Sequence, residues 1–217
     1  MAIVVVGGHT RNIGKTSVVA GLIRALPRLL PEMRWTAFKI TQFGHGVCSA
    51  NGEPCDCETR DHTVAVSEER GLNAETDSGR YLAAGAVRSF WVRTRQEQLA
   101  EAMPRLRKEF ARAENVIVES NSILRFLRPD VFLTVLDPGT ADFKASALRY
   151  LDRADAVLLP GEDVGRPEWS GVSLKLIEGI PRFRMEPPEY VTAEIAEFVA
   201  ERLAHAERLA HRVAVRS

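Results

Sequence analysis

The chain has 217 residues, 45% of them hydrophobic and three of them cysteine, which suits one domain with a core large enough to need no disulfide staples. Twenty-nine Lys and Arg balance 29 Asp and Glu, so no global field draws the protein to nucleic acid or to an anionic membrane, and small-molecule chemistry is expected instead. No apolar run approaches a membrane span, and the N-terminal one is too short for a signal peptide and has no basic residue before it, so a cytoplasmic protein is expected.

Ala2 to Val6 is a short apolar, β-branched run, the pattern of a strand buried on both faces of a parallel sheet. It leads into GGHTRNIGKTS, residues 7 to 17, and then into Ser17 to Leu30, where Val18, Val19, Leu22, Ile23, Leu26 and Leu30 follow a helical period that ends near Pro31. In the order strand, glycine loop, helix, the free N–H groups and positive dipole end of the helix face whatever the loop holds, which favours an anion. Gly8 and Gly14 allow close backbone approach, Lys15 places a charge on phosphates, and the Thr16 hydroxyl suits Mg²⁺, with Asn12, Ile13 and Ser17 completing the nucleotide-binding stretch. Five residues separate Gly8 from Gly14-Lys15-Thr16, one more than in the common phosphate loop, and His9 stands where that loop has its first glycine.

Further strands are predicted at Trp35 to Ile40, Ser89 to Val92, Asn115 to Val118, Val131 to Leu136 and Ala156 to Leu159. Thr94 to Glu97 reads as a capping box before a helix toward Ala113 with a kink or restart at Pro104; Ala141 to Ala154 and Ala193 to Leu209 also read as helices. The segment RFRMEPPEY reads as an edge strand and linker. Alternating strands and helices predict a three-layer α/β domain over residues 1 to 217, a mainly parallel sheet with helices on both faces and ligands at the carboxyl ends of the strands.

Reading those strand ends gives the other site candidates. Lys39 closes WTAFKI, either as a second cation on the phosphates or as a lysine snorkelling from the sheet. Glu119 closes NVIVES, placed to hold Mg²⁺ or a metal-bound water, or else to cap the next helix with Ser120 or Asn121. Asp61 and Asp77 are candidates for the same ion or for helix caps. Lys15, Lys39 and Glu119 are thus the catalytic candidates. Arg11, a cation inside the loop, either faces water or reaches the nucleotide of a second copy across a homodimer interface. No Asn-Lys-x-Asp or Thr-Lys-x-Asp segment selects guanine, so ATP and GTP both stand; Glu162 and Asp163 lie where a base could bind but also read as an exposed acidic turn.

All three cysteines fall in one Cys/His-rich insertion at about 45 to 62. His45, Cys48, Cys55 and Cys57 form a candidate zinc site, with His62 as an alternative ligand; a redox pair at Cys55 and Cys57, or plain reduced thiols, are the competing readings.

The loop resembles that of dethiobiotin synthetase and the cobyrinic acid amide synthases, Gly-Thr-x-Ser/Thr-x-Val-Gly-Lys-Ser/Thr, with Ile13 for Val and His9 for Thr; Lys39 and Asp61 match the Tyr-Lys-Pro and Ser-Asp-Ala-Leu-Ala segments of the synthetase. A second resemblance covers the first two-thirds of the chain. Lys39 and His45, then Asp77, Ser78, Arg80 and AAGA, then Val118-Glu119-Ser120 follow the order of motifs in molybdopterin-guanine dinucleotide biosynthesis protein B, with Ser120 in place of a glycine. Both imply a phosphate-loop fold that uses a nucleoside triphosphate and Mg²⁺. The second implies a slow NTPase serving metallocofactor maturation with a cofactor-synthesis protein as partner; the first implies an ATP-dependent enzyme that activates a carboxylate. A non-hydrolysing metal or nucleotide sensor is the third class.

Overall fold

The computed structural model describes residues 1–43, 64–72, 75–161, 167 and 169–214. Eight strands form one sheet: β1 (Ile3–Gly8), β2 (Trp35–Phe43), β3 (Val64–Glu68), β4 (Arg88–Arg95), β5 (Asn115–Glu119), β6 (Val131–Val135), β7 (Ala156–Pro160) and β8 (Arg182–Met185), in the order β3-β4-β2-β5-β1-β6-β7-β8. Every pairing is parallel except that of β3 with β4. The expected mainly parallel α/β sheet is thus the observed one.

The central strands read as unbroken apolar runs because both of their faces are covered. Side chains alternate across the sheet: Val4 and Val6 pack with Leu22, Ile23 and Leu26 of helix α1 (Lys15–Leu29) and with Ile195, Val199 and Leu203 of helix α5 (Ala193–Ala214). Val5 faces the other way, into a cluster with Leu99, Met103, Leu106 and Phe110 of helix α3 (Leu99–Phe110) and the stacked rings of Phe38 and Phe90.

Several elements depart from the sequence expectation. Thr94 does not cap a helix: β4 runs on to Arg95, Thr94 pairs with Gln42 of β2 and is fully buried, and α3 starts only at Leu99. Pro104 sits inside α3 without interrupting it; its missing N–H would have served the carbonyl of Ala100, which is exposed in the first turn. The helix expected over 141 to 154 shrinks to α4 (Ala145–Leu148) and a 3₁₀ turn at Leu151–Arg153. Its start is held back because the Lys144 N–H donates to the His9 carbonyl while Lys144 itself is extended. Strand β3 was not expected, and helix α2 (Asp77–Ala83) only through the reading of Asp77 as a helix cap. Thr76, not Asp77, caps α2, its side chain accepting the Gly79 N–H at 3.0 Å. The edge strand expected in RFRMEPPEY is β8.

Candidate nucleotide site

The carboxyl ends of β4, β2, β5, β1 and β6 open into a cleft of about 990 Å³. At its centre the chain leaves β1, turns through residues 9 to 14 and enters α1. Asn12 (φ 58°) and Gly14 (φ 93°) lie in the left-handed region, and a Cβ on Gly14 would stand 2.8 Å from the Tyr190 ring. Gly14 precedes α1 with no side-chain cap, so the orphan N–H groups of the first turn remain for a ligand.

His9 needs no glycine-like backbone, and its ring explains its presence. Buried completely, it contacts the Asp142 carbonyl through Nδ1 (2.7 Å) and accepts the Asp137 N–H on Nε2 (3.0 Å), so Nδ1 carries the proton. Burial holds its pKa below the ordinary histidine value. The rings of Phe143 and Trp169 lie 5.1 and 5.5 Å away, and Thr10 Oγ1 donates to Asp142. The longer loop is therefore tied to the segment after β6. On its other side Asn121 grips Gly8 by both amide groups, accepting its N–H at 3.0 Å and donating to its carbonyl at 2.8 Å.

The floor of the cleft is a carboxylate hub. Register pairs Lys39 with Glu119 on adjacent parallel strands, which is why two charged strand ends meet. Glu119, 3% exposed, accepts from Thr16 Oγ1 (2.8 Å), from Lys39 Nζ and from the Tyr81 hydroxyl. Lys39 also pairs with Asp77 at 2.9 Å and lies 3.1 Å from Thr16 Oγ1. Burial and the Glu119 charge push the Tyr81 phenol well above its ordinary value, so it stays a donor. Lys15 Nζ donates back to the Thr10 carbonyl. Burial lowers its pKa to about 8, against the opposing pull of Glu119.

Of the sequence candidates, the hub joins Thr16, Lys39, Asp77 and Glu119 and the same cleft is lined by Lys15, and Lys39 is thereby not a snorkelling lysine. Glu119 is not a helix cap either: in the turn that follows (Ser122–Arg125) the Ile123 N–H donates to Ser120 Oγ at 3.3 Å. Asp61, His45, Cys48, Cys55, Cys57, His62, Glu162 and Asp163 lie outside the described residues. Among the described residues no group of three His, Cys, Asp or Glu could hold a metal alone. Thr16 Oγ1 and Glu119 do present adjacent hard oxygens, which suits Mg²⁺, an ion usually held by one or two protein oxygens together with phosphates and water. Sequence reasoning passed over Tyr81 and the ring of His9, and saw Asn121 only as a possible helix cap rather than as the clamp on Gly8. Arg80, quoted only for the Asp-Ser-x-Arg resemblance, donates to Ser17 Oγ at 2.9 Å.

No family model matches the chain, and no curated protein does. Among solved structures, the "apo" form of LpxK from Aquifex aeolicus in complex with ATP is similar at 18% identity and a TM-score of 0.46, over 85% of this chain and 54% of that one. The chain thus spans about half the length of that protein. The MinC:MinD cell division protein complex of Aquifex aeolicus is similar at 12% identity and a TM-score of 0.36, over 93% and 86% of the two chains. Likenesses this distant carry no functional argument; the geometry does.

Proposed function

We propose that the chain binds a nucleoside triphosphate with Mg²⁺ and cleaves its terminal phosphoanhydride. The observation that carries this reading is the meeting of an uncapped helix N-terminus and Lys15 with Thr16, Lys39 and Glu119 in one cleft. The first-turn N–H groups of α1 and Lys15 would hold the phosphates. Thr16 Oγ1 and Glu119 would hold Mg²⁺, which would supply positive charge against the phosphates. Lys39, fixed between Asp77 and Glu119, would place its ammonium at the terminal phosphate, where charge grows on the oxygens during transfer.

Around this chemistry we place an accessory role in metallocofactor maturation, supported by the motif order through Lys39, Arg80 and Glu119 and by a Cys/His-rich segment that follows β2, the strand of Lys39. Calorimetry with MgATP and MgGTP decides the base, and phosphate release decides the class. Slow turnover that a cofactor-synthesis protein accelerates supports the accessory role. Rapid turnover with a small organic carboxylate supports the activating enzyme, which the roomy cleft also favours. Binding without turnover identifies a sensor. Elemental analysis of untagged protein against Cys55→Ser/Cys57→Ser tests the zinc reading. Arg11 is exposed at the cleft mouth, and light scattering with a non-hydrolysable triphosphate tests the homodimer; a monomer under both conditions ends that idea.

A further inference from the structure

We propose that the half of the cleft beyond the terminal phosphate is a second subsite, built for a small planar organic anion that binds beside the nucleotide. The inference rests on the nucleotide reading for its orientation. Thr16, Lys39 and Glu119 lie on the β5 and β2 side of the phosphate loop, so Mg²⁺ and the terminal phosphate belong there. The nucleoside must then leave in the opposite direction, past Asn12, Gly14 and Tyr190. The cleft nevertheless continues across β2 to β4, three strand spacings or about 14 Å from β1. Among the described residues nothing fills that end once a triphosphate is held at β1, and 990 Å³ is at the top of the roughly 300–1,000 Å³ range of small-molecule sites.

The far half is built rather than left over. β5 ends at Glu119, opposite Lys39, yet β2 and β4 stay paired for four more positions, Ile40 with Val92 through Phe43 with Arg95. This raises a wall on one side of the cleft. Gln42 is fixed on it, its amide nitrogen on the Arg95 carbonyl (3.4 Å) and its oxygen accepting from Ser122 (2.7 Å). Trp91, half-buried, is held by its indole N–H on Thr41 Oγ1 at 3.1 Å. The same cleft is lined by Phe126 and Tyr150, which pack in one cluster, and by the exposed guanidinium groups of Arg125 and Arg149. Neither arginine has a carboxylate partner among the described residues. Among the described residues, the two non-glycine residues with positive φ, Asn12 and Glu97, both line this cleft, one in each half; backbone strain of this kind concentrates at ligand sites. Arg93 already lies over one face of Trp91 (4.2 Å) and Arg125 over the Phe126 ring (5.7 Å); aromatic surface, a fixed amide and two guanidinium groups without a carboxylate partner among the described residues fit a flat molecule carrying a carboxylate or a phosphate.

The test fills the phosphate site with a non-hydrolysable Mg-triphosphate and titrates benzoate and phenyl phosphate calorimetrically, so that the two arms separate carboxylate from phosphate recognition. At least one probe should bind the filled protein, and Arg125→Ala or Arg149→Ala should weaken it about ten-fold or more while triphosphate affinity stays within two-fold. Trp91→Phe, which keeps a ring, should spare most of that probe affinity, whereas Trp91→Ala should not. Competition between probe and triphosphate, absence of binding by both probes, or indifference to both arginine variants overturns the proposal. If the triphosphate itself fails to bind, the nucleotide reading falls separately. The probes are then titrated against Lys15→Ala without nucleotide: binding that depends on Arg125 retains the subsite, and its absence removes it.

Discussion

The two sides of the cleft are made in opposite ways. On the side of the loop after β1 the key side chains are already committed, leaving the first-turn N–H groups of α1 free: Glu119 takes three donors, His9 uses both ring nitrogens, and Asn121 spends its amide on Gly8. On the other side the β2–β4 extension fixes the wall that carries Trp91, while among the described residues the exposed guanidinium groups of Arg125 and Arg149 have no carboxylate partner. A committed site positions charge without reorganising, which suits phosphoryl chemistry. An uncommitted one adapts to a ligand and sets which molecule is taken. Damage to the first side should therefore appear as lost binding, rate or stability, and damage to the second as altered affinity for a partner molecule.

The largest effect is expected from Lys15→Ala. Mg-nucleotide affinity measured by calorimetry should drop by roughly a hundred-fold or more, with circular dichroism unchanged, because the point charge on the phosphates is gone. Unchanged affinity removes the phosphate-site reading altogether. Thr16→Ala should behave alike through loss of a magnesium ligand.

Glu119→Gln separates binding from turnover. Ground-state phosphate contacts survive, so affinity should stay within several-fold while phosphate release slows on the order of a hundred-fold. Wild-type turnover would assign Glu119 to structure alone.

Tyr81→Phe probes the hub's rigidity. It removes a buried hydrogen bond to an ionised carboxylate, and urea unfolding should show a loss of about 1.5–3 kcal/mol. A change below a few tenths would mean that Glu119 does not rely on the phenol.

The smallest effect near neutrality is in pH. Lys15 titrates at about 8 in the folded protein against an ordinary 10.5. Between those values the unfolded chain binds the proton that the folded chain has lost, so this group's destabilising contribution is full below pH 8 and fades as pH rises toward 10.5. A bound phosphate favours the ammonium. Nucleotide binding should therefore take up a proton above pH 8, and affinity should fall with rising pH there, by at most about ten-fold per unit. Calorimetry at pH 7 and pH 9 in buffers of different ionisation heat reads this directly; equal proton uptake at both values disconnects Lys15 from the phosphates.

What the sequence determined alone was whatever is encoded by near neighbours in the chain. The apolar runs of β1, β5 and β6 fixed a parallel sheet because burial on both faces leaves no alternation to misread. Gly8, Gly14, Lys15 and Thr16 are legible as a candidate anion site because loop, helix N-terminus and cation are contiguous. Lys39 and Glu119 were legible as strand-end charges, though not as partners: 80 residues separate them, and only the β2–β5 register brings them together. Tertiary structure decided the rest. Thr94 had the local chemistry of a helix cap and was taken instead by pairing with Gln42, a long-range bond that overrides a weak local preference. The 141 to 154 segment had helical composition, yet the Lys144 N–H was claimed by His9 across 135 residues. Tyr81 gave no signal, since a tyrosine on a short helix becomes a carboxylate's donor only once α2 packs against α1, β2 and β4, bringing the buried phenol to Glu119 at the end of β5.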